Sequence, residues 1–520
     1  MSSADGPEET GASSEERGDG FSRDELRRRA SAGVSIVATR GLMILLVGFA
    51  GSVVLARLLT PHDFGVLAIG MSVVLFTSLV ADGGLGAALI RRVEPPTAEE
   101  YEALMGLQLT VASVSTVGAA AIGAQFGEVG LVTAVMVSSM PLVALQFPGR
   151  IDFERSLTYR PLAVIEIAQV VSYQVAAIGL VIAGLGVWGV AIATVLMRAV
   201  AAVVMCFVSP LGLVRPRFSW RGIRPLVGFG LSFQAVSATW LARDQGLNAS
   251  IAAIAGVSTL GLWSLARRLM EVPLLVFQSL SRVSFPAMSQ LVAAREDATP
   301  IIRRAASMAV IGSGLVLVAV AGSAPGLIPG VFGRQWQGAV DAIPAACLGL
   351  GLGGSVTVAT QGYLYAVGDA AAVLRSSIWQ TLVWFAVTLP LLPLIGVSAV
   401  GVGWLVSALA EAAVLIRATR RRTDPHLIRP LILPVLAGIV SAGAGWYVAS
   451  WGGGTLLSGV AGGCCSVACF LAILLIFERP RVLETFRFAL ASVHAGARRG
   501  ERLAVSPKPP ESTGAAIIRS

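Results

Sequence analysis

The chain has 520 residues, of which 55% are hydrophobic and 13% are charged, and its mean hydropathy is +0.77. A soluble protein of this size carries about 25% charged residues, so the composition argues against a soluble globular protein. The net charge of +9 comes from arginines scattered through short loops rather than gathered on one polar domain. We therefore expect no nucleic-acid partner.

The N-terminal segment is polar and mixed in charge, without the basic and then apolar layout of a signal peptide. Residues 1–30 are predicted to be a disordered cytoplasmic segment. Three consecutive arginines, Arg27 to Arg29, precede the first apolar run, as in a cytoplasmic anchor.

Apolar runs of about twenty residues, the signal of a membrane-spanning helix, follow one another along nearly the whole chain. The alternating short strands of a membrane β-barrel are not seen. The predicted fold is therefore an all-α integral membrane protein of about fourteen helices. The predicted spans are 34–56, 65–90, 104–126, 130–147, 162–183, 187–208, 226–254, 261–287, 305–325, 340–366, 370–395, 397–416, 430–450 and 455–477.

Arginine is distributed unequally between the two sets of loops. One set contains Arg57 and Arg334, and the other holds Arg91, Arg92, Arg150, Arg155, Arg160, Arg215, Arg217, Arg221, Arg224, Arg295, Arg303, Arg304, Arg420, Arg421, Arg422 and Arg429. Because basic loops stay in the cytoplasm, the second set is predicted to be cytoplasmic. Both termini then lie in the cytoplasm, including the tail 479–520, and the protein belongs in the inner (plasma) membrane.

A weak internal repeat suggests how the spans are grouped. The segment DFGVLAIGMSVV at 63–74 resembles TLGLWSLARRLMEV at 259–272, and each follows a long span and a short break. Parallel repeats of six spans fit this spacing. We predict an N-lobe at 31–224, a C-lobe at 225–419 and two further spans at 420–478.

A short polar island interrupts the apolar sequence VLARLLTPHDFGVLAIG, residues 54–70. Pro61 is suited to the first turn of a helix, and Asp63 is placed to cap that helix. His62 is a lone histidine in a turn, where a ligand or base role is the weaker hypothesis. The island is predicted to be a tight turn on the outer side.

Neither metal-binding nor disulfide spacing is present among the cysteines. All lie in apolar segments, and no CxxC pair is matched by a second one. No metal site or cofactor is predicted. The cysteines are Cys206, Cys347, Cys464, Cys465 and Cys469.

Three segments, in the right order, resemble the oligosaccharide flippases. They are ARLLTPHDFGVLAIGMSVVLFTSLVADGGLGAALIRR at 56–92, LGLWSLARRLMEVPLLVFQSLSRVSFPAMSQL at 260–291 and FGRQWQGAVDAIPAACLGLGLGGSVTVATQGYLYAVGDAAAVLR at 332–375. The chain thus resembles the Wzx-like flippases of the multidrug, oligosaccharidyl-lipid and polysaccharide exporter superfamily, and its motifs are similar to those of exopolysaccharide, teichuronic or colanic acid exporters. A departure from the family pattern lies at Gln245, Gly246 and Asn248, just after Asp244.

The resemblance implies two six-helix lobes around a central cavity that opens alternately to each side. It implies a polyprenyl-pyrophosphate-linked oligosaccharide as substrate, moved from the inner to the outer leaflet for exopolysaccharide or cell-wall glycan synthesis. Membrane lipids surround the protein, and a polysaccharide polymerase and chain-length proteins are candidate partners.

Charged residues inside spans are costly, so each one is a candidate for function. Arginine suits a pyrophosphate because its planar guanidinium pairs with two oxygens at once. The candidates that would line the cavity are Arg40, Arg198, Arg243, Asp244, Arg267 and Arg268.

Structural roles for the same charges remain open. Arg243 and Asp244 can form an ion pair between lobes, and Arg267 can pair with Glu271 four residues later. Three further charges, Arg375, Glu411 and Glu166, can extend to the membrane surface.

Other functions remain open as well. A multidrug antiporter and a lipid II flippase share the fold, but the excess of arginine over acidic residues in the spans favours an anionic substrate. A membrane enzyme that polymerises or ligates glycans needs a sizeable outer loop, and the longest one here is about 326–338. No catalytic residue is predicted, and a non-transporting scaffold would leave the buried charges unexplained.

Overall fold

The structure, a computed structural model, describes residues 23–423, 426–485 and 487. Within these residues the regular structure is helical, without a β-strand. The helices are α1 (Arg23–Leu58), α2 (Pro61–Asp82), α3 (Leu85–Arg91), α4 (Ala98–Gly123), α5 (Gly127–Val137), α6 (Met140–Ala144), α7 (Phe147–Arg155), α8 (Tyr159–Leu180), α9 (Gly186–Val208), α10 (Trp220–Ala255), α11 (Val257–Ala293), α12 (Thr299–Phe332), α13 (Ile343–Ala366), α14 (Ala370–Ile395), α15 (Ser398–Arg420), α16 (Ile428–Trp451) and α17 (Leu456–Phe477).

Ten stretches of the described residues are long and apolar enough to cross a membrane, or eleven if the bent helix α10 is one span. Two of them, Ala98–Ala144 and Tyr159–Val208, have 47 and 50 residues. A straight helix of that length would be about 70 Å long, more than twice the thickness of the hydrocarbon layer. Both stretches are broken: the first contains α4, α5 and the short α6, and the second contains α8 and α9. Within each stretch the helices pack on each other. The chain is a multi-pass helical membrane protein, and the number fourteen stays a prediction.

Two glycines set where α2 ends and α3 begins. The predicted span 65–90 is wrong in its length, because α2 stops at Gly83 and Gly84, whose φ angles are +53° and +71°. These left-handed conformations suit glycine, which has no Cβ to clash with the preceding carbonyl group. The chain then continues as the short helix α3. Of the segment 1–30 predicted to be disordered, residues 1–22 lie outside the described residues, and the prediction is wrong for residues 23–30, which begin α1.

The polar island forms the turn between α1 and α2. Thr60 caps α2 by accepting a hydrogen bond from the backbone N–H of Asp63, and the Asp63 carboxylate accepts the backbone N–H of Thr60 at 2.8 Å. This reciprocal arrangement is a capping box, with Pro61 in the first turn. The predicted turn is confirmed, with Thr60 as the cap and Asp63 as its partner, while His62 is exposed.

For description, we call helices α1–α9 the first helix set and helices α10–α15 the second. The two sets meet where α2 packs against α10 and α11, and where α1 approaches α12. We call this contact the seam. One end of the seam, the Arg-poor end, is formed by the turns at 59–60 and 256 and by the short 3-10 helix Arg334–Ala342. The other, the basic end, is formed by the connections at 92–97 and 209–219.

The last two helices, α16 and α17, pack on α12. Glycines of α12 every four residues allow the backbone of α17 to come close. A Cβ atom at Gly326 would lie 2.3 Å from the backbone nitrogen of Gly459, and one at Gly330 would lie 2.4 Å from that of Leu456. Such small residues permit close helix contacts inside a membrane.

Candidate functional site

At the Arg-poor end, a group of residues that we call the Arg57 latch joins the two helix sets. The Arg57 guanidinium, on α1, donates to the carbonyl oxygens of Gly330 and Val331 at 2.6 and 2.7 Å. These are among the last carbonyls of α12, which have no partner within the helix and favour a cation. The indole N–H of Trp336 returns a hydrogen bond to the Ala56 carbonyl at 2.7 Å.

Beside the Arg57 latch, α2 and α11 touch backbone to backbone. A Cβ atom at Gly65 would lie 1.9 Å from the carbonyl oxygen of Val257, and one at Gly261 would lie 1.7 Å from that of Pro61. No side chain fits between these helices, so this end of the seam is closed.

The basic end is closed in a similar way. A Cβ atom at Gly84 would lie 2.1 Å from the carbonyl oxygen of Gly230, on α10. The Gln234 amide donates to the Leu79 carbonyl at 2.9 Å, and the Arg91 guanidinium lies 4.6 Å from the ring centre of Phe229. The two helix sets therefore touch at both ends of the seam.

Between these ends lies a charged group that we call the Asp244 triad: Arg243 and Asp244 on α10 and Arg267 on α11. The Asp244 carboxylate accepts from Arg243 at 2.9 Å and from Arg267 at 2.7 Å. Arg243 and Asp244 pair with each other, but both lie on α10, so this ion pair does not join two lobes as predicted. The predicted pairing of Arg267 with Glu271 is wrong, because Asp244 takes that guanidinium and Glu271 is exposed.

Arg243 is enclosed by aromatic and polar side chains of the protein. Its guanidinium lies over the rings of Trp240 and Trp384, 4.5 and 5.6 Å from their centres, and donates to Gln380 at 3.1 Å. Its side chain is 15% exposed, whereas that of Arg267 is 40% exposed. Arg243 is therefore held by the protein, and Arg267 keeps donors available.

The polar chain continues into the second helix set. The Gln380 amide on α14 donates to the Glu411 carboxylate on α15 at 2.7 Å. The prediction that Glu411 extends to the membrane surface is wrong, since Glu411 is buried. Sequence analysis did not single out Gln380. Its partners, Arg243 and Glu411, lie on other helices, so the sequence around Gln380 on α14 does not predict these contacts.

Two bridges cross the seam near the Asp244 triad. The Arg268 guanidinium donates to the Gly48 carbonyl on α1 at 2.9 Å. The Ser72 hydroxyl on α2 donates to the Gln245 amide oxygen at 2.5 Å, and Asn248 donates to the same oxygen at 3.0 Å. Gln245 and Asn248, which depart from the family pattern, thus tie α10 to α2.

The remaining candidates lie within the first helix set. Arg40 on α1 forms an ion pair with Glu166 on α8 at 3.1 Å, so Glu166 does not extend to the surface. Arg198 lies on α9, and its Nε is buried without a hydrogen-bond partner among the described residues. Its charged neighbour is another cation, Arg150. The structure does not bring Arg40 or Arg198 into contact with the Asp244 triad.

The seam therefore carries an excess of positive charge. Arg243 and Arg267 share one carboxylate, Asp244, whereas Arg268 is bonded to the neutral Gly48 carbonyl. Buried cations need anionic partners, and Arg267 and Arg268 each use a single contact to the protein. Such an arrangement can bind an anion that enters between the two helix sets.

The five cysteines are free thiols. Within the described residues, His, Cys, Asp and Glu side chains do not gather into a group of three or more that could hold a metal ion.

Comparison with known proteins identifies the family. The sequence pattern of the family described as "Polysaccharide biosynthesis protein" matches residues 54–341, more than half of the chain. The chain belongs to this family. The matched region of this polysaccharide biosynthesis family member contains the Arg57 latch and the Asp244 triad.

Two curated relatives match along most of the membrane region. The chain is 22% identical over 307 residues to the succinoglycan biosynthesis transport protein ExoT of Rhizobium meliloti (strain 1021). The aligned residues cover 58% of this chain and 62% of the relative. It is 23% identical over 344 residues to the lipopolysaccharide biosynthesis protein WzxC of Escherichia coli (strain K12), with 62% and 67% covered. The match to ExoT thus spans less than two thirds of the length of that relative.

Solved structures share the fold. A structure titled as the lipid II flippase MurJ in an inward closed conformation matches with a TM-score of 0.65 at 11% identity, covering 86% of this chain and 99% of that one. An inward-facing multidrug resistance transporter of the MATE family matches with a TM-score of 0.54 at 16% identity, covering 74% and 96%. At these identities the likeness establishes the all-α membrane fold.

Proposed function

We propose that this protein is a flippase that moves a polyprenyl-pyrophosphate-linked oligosaccharide from the inner to the outer leaflet by alternating access. The observation that carries the proposal is the cationic seam, where Arg267 and Arg268 keep donors that the protein does not use. The names of ExoT and WzxC, a transport protein and a biosynthesis protein for surface polysaccharides, support the same substrate class.

A headgroup of this kind needs a polar route. Sugar hydroxyls and a pyrophosphate lose their hydration in hydrocarbon, which costs several kcal/mol for each unpaired group. A seam that opens at one end supplies water and hydrogen bonds, while the lipid tail remains in the bilayer. The protein performs no bond chemistry in this function and acts as a transporter rather than an enzyme.

Within the seam, Arg267 and Arg268 bind the pyrophosphate or an acidic sugar. Asp244 and Arg243 position Arg267. Asp244 accepts from one nitrogen of the Arg267 guanidinium, and the remaining N–H donors of that guanidinium stay available to the substrate. Arg198, beside Arg150 and without a carboxylate partner among the described residues, is a second anion contact. Arg40 has a structural role, since Glu166 neutralises it.

The moving bodies are the N-lobe and the C-lobe, with residues 420–478 attached to the C-lobe through α12. Because the boundary predicted at 224/225 falls inside α10 (Trp220–Ala255), the division between the lobes is proposed to lie in the connection 209–219 instead. Release of the Arg57 latch opens one end, and separation of Gly84 from Gly230 opens the other. Because opening both ends together would expose the headgroup path to both sides, we expect one contact to hold while the other is broken.

The orientation follows from the charge of the loops. The basic end faces the cytoplasmic side of the inner membrane, and both termini lie on that side. Cysteine labelling from outside intact cells tests this. A cysteine at Gly333 is expected to react with an impermeant reagent, and one at Thr423 is not; the opposite pattern would invert the topology.

The function is tested with Arg267→Gln and Arg268→Gln, matched to Arg375→Gln. Arg375 is exposed and hydrogen-bonds to its own helix, so its loss controls for one positive charge. In cells that depend on this protein, both seam variants are expected to lower surface polysaccharide by about tenfold at equal protein level, with the lipid-linked precursor accumulating.

Three outcomes argue against this function. Normal export in the double variant Arg267→Gln/Arg268→Gln removes the seam as the anion site. Accumulation of lipid II in place of an oligosaccharide precursor assigns the substrate to peptidoglycan. A changed resistance to cationic drugs with normal polysaccharide assigns the chain to multidrug antiport. A polymerase and chain-length proteins, as partners that use the flipped product, are expected to co-purify with the active protein.

A further inference from the structure

A second cationic site lies far from the seam, at the basic end of α12, α16 and α17. A cavity of about 660 Å³ opens there between the first turns of α12, the start of α16 and the helical residues 479–485. We call it the arginine pocket. Its charged lining includes Arg303, Arg304, Arg429, Arg481 and Glu484.

The arginine pocket has more positive than negative charge. Arg304 pairs with Glu484 at 2.7 Å, and Arg481 pairs with Glu478. Arg303 and Arg429 are exposed and have no carboxylate partner among the described residues. Two of the four guanidinium groups are therefore available to an anion.

A buried hydroxyl supplies an independent sign of a missing ligand. Ser307 lines the arginine pocket one turn beyond Arg303, and it is 8% exposed. Its Oγ is buried and has no hydrogen-bond partner within the described part of the chain. A buried hydroxyl without a partner is costly, so a ligand oxygen that reaches Ser307 would remove that cost.

The surroundings of the pocket favour a lipid headgroup over a soluble anion. Its volume far exceeds that of a free phosphate, and Met308 and Pro430 add an apolar floor below the arginines. Large apolar side chains at the same ends of α16 and α17 are exposed, among them Ile428 at 49% and Phe477 at 69%. Acyl chains can lie against these side chains while the phosphate reaches the arginines.

We propose that the arginine pocket binds the phosphodiester of an anionic phospholipid in the leaflet at the basic end. Basic pockets between the ends of membrane helices are suited to such headgroups. Arg303 and Arg429 bind the phosphate oxygens, and Ser307 donates to one of them. This site is separate from the seam, so the proposal does not depend on the transported substrate.

The test uses the purified full-length protein in detergent, with phosphatidylglycerol, phosphatidylcholine or inorganic phosphate added. Binding is followed by native mass spectrometry, and stability by thermal unfolding. The variant is Arg303→Gln/Arg429→Gln, and Arg160→Gln/Arg375→Gln is its control. The control removes the same charge from exposed positions outside the pocket.

The wild type and the control are expected to bind phosphatidylglycerol at least about tenfold more tightly than phosphatidylcholine, and the pocket variant is expected to lose this preference. Equal binding of phosphatidylglycerol by the pocket variant and the control would overturn the site. Protection by millimolar inorganic phosphate equal to that by phosphatidylglycerol would overturn the lipid assignment in favour of a soluble phosphate.

Ser307→Ala keeps the proposal testable if the double variant folds poorly. Removing a buried hydroxyl that has no protein partner is expected to maintain or raise the unfolding temperature without lipid. The same change is expected to reduce the additional stabilisation by phosphatidylglycerol. Undiminished stabilisation in Ser307→Ala would contradict the contact between Ser307 and the headgroup.

Discussion

The Arg57 guanidinium donates to the Val331 carbonyl at 2.7 Å, although 274 residues separate the two along the chain. Arg57 lies in the segment ARLLTP, which on sequence alone is a simple turn. The structure makes it the fastening of α1 to the end of α12. We therefore expect Arg57 to control how often the Arg-poor end of the seam opens.

Substitution of Arg57 tests this. In Arg57→Ala, loss of two hydrogen bonds from a charged donor is expected to increase opening about tenfold. Arg57→Lys is expected to be intermediate, because an ammonium group lacks the planar fork that reaches both carbonyls. Opening is measured as the labelling rate of a cysteine at Ala339, which is fully buried while this end is closed, with the same Arg57 variants lacking that cysteine as controls. An unchanged rate in Arg57→Ala would show that the Arg57 latch does not hold this end closed.

At the basic end, Gly84→Ala is expected to force α2 and α3 away from α10. The new Cβ would lie 2.1 Å from the Gly230 carbonyl oxygen, and the φ of +71° is unfavourable for alanine. Export is expected to fall by about tenfold at equal protein level. Gly118→Ala on α4 is the control, since no atom outside the neighbouring backbone of α4 lies within 4 Å of its Cβ position. Equal export by the two variants would exclude a need for the close contact.

The Asp244 triad is tested by a double-mutant cycle. Asp244→Ala leaves two guanidinium groups together without their carboxylate, so protein level and unfolding temperature are expected to fall. Adding Arg267→Ala removes one of these cations and is expected to restore part of the loss. The coupling between the two sites is expected to be about 0.5–3 kcal/mol, as for residues in direct contact. Additive effects would show that the ion pair does not contribute to folding.

Arg40 and Glu166 are expected to behave as a structural pair. Either Arg40→Ala or Glu166→Ala leaves a partly buried charge unpaired and is expected to cost about 1–3 kcal/mol. The double variant is expected to be more stable than either single one, and its export is expected to remain near the wild-type value. Thermal unfolding of the purified variants measures this. A loss of export in the double variant at full stability would instead assign Arg40 to the substrate.

Two substitutions of Glu411 distinguish a requirement for its negative charge from a requirement for its hydrogen bond. Glu411→Gln retains an oxygen that accepts from Gln380 and is expected to keep a near-normal protein level. Glu411→Ala leaves the partly buried Gln380 amide without its acceptor. This change is expected to lower the unfolding temperature and to cost about 1–3 kcal/mol of stability. Loss of export in Glu411→Gln at normal stability would show that the carboxylate itself is required.

Hydropathy predicts the helices well because each span must satisfy its own backbone hydrogen bonds in lipid. The helix break at Gly83 and Gly84 was missed because both flanking segments are equally apolar. The capping box at Thr60 and Asp63 is local, so sequence analysis located that turn.

Partners of the intramembrane charges are harder to predict, because they depend on how helices face one another. Helical spacing paired Arg267 with Glu271, but the tertiary fold brings Asp244 closer. Glu411 was assigned to the surface because its distance from the helix end allows that, yet its neighbour Gln380 lies on another helix. Contacts between residues distant in sequence leave no signal in one sequence.

The glycine repeat of α12 has a mechanical consequence. At Gly326 and Gly330 the backbone of α12 meets the backbone of α17 directly, and at Gly322 it meets the Ser466 side chain. Sliding one helix along the other would drive Ser466 or Leu456 into the opposing backbone, so the two helices can only tilt together. Any tilt of α12 that follows release of Arg57 must therefore move α17 with it. Helix α16, which packs on both α12 and α17, must move as well.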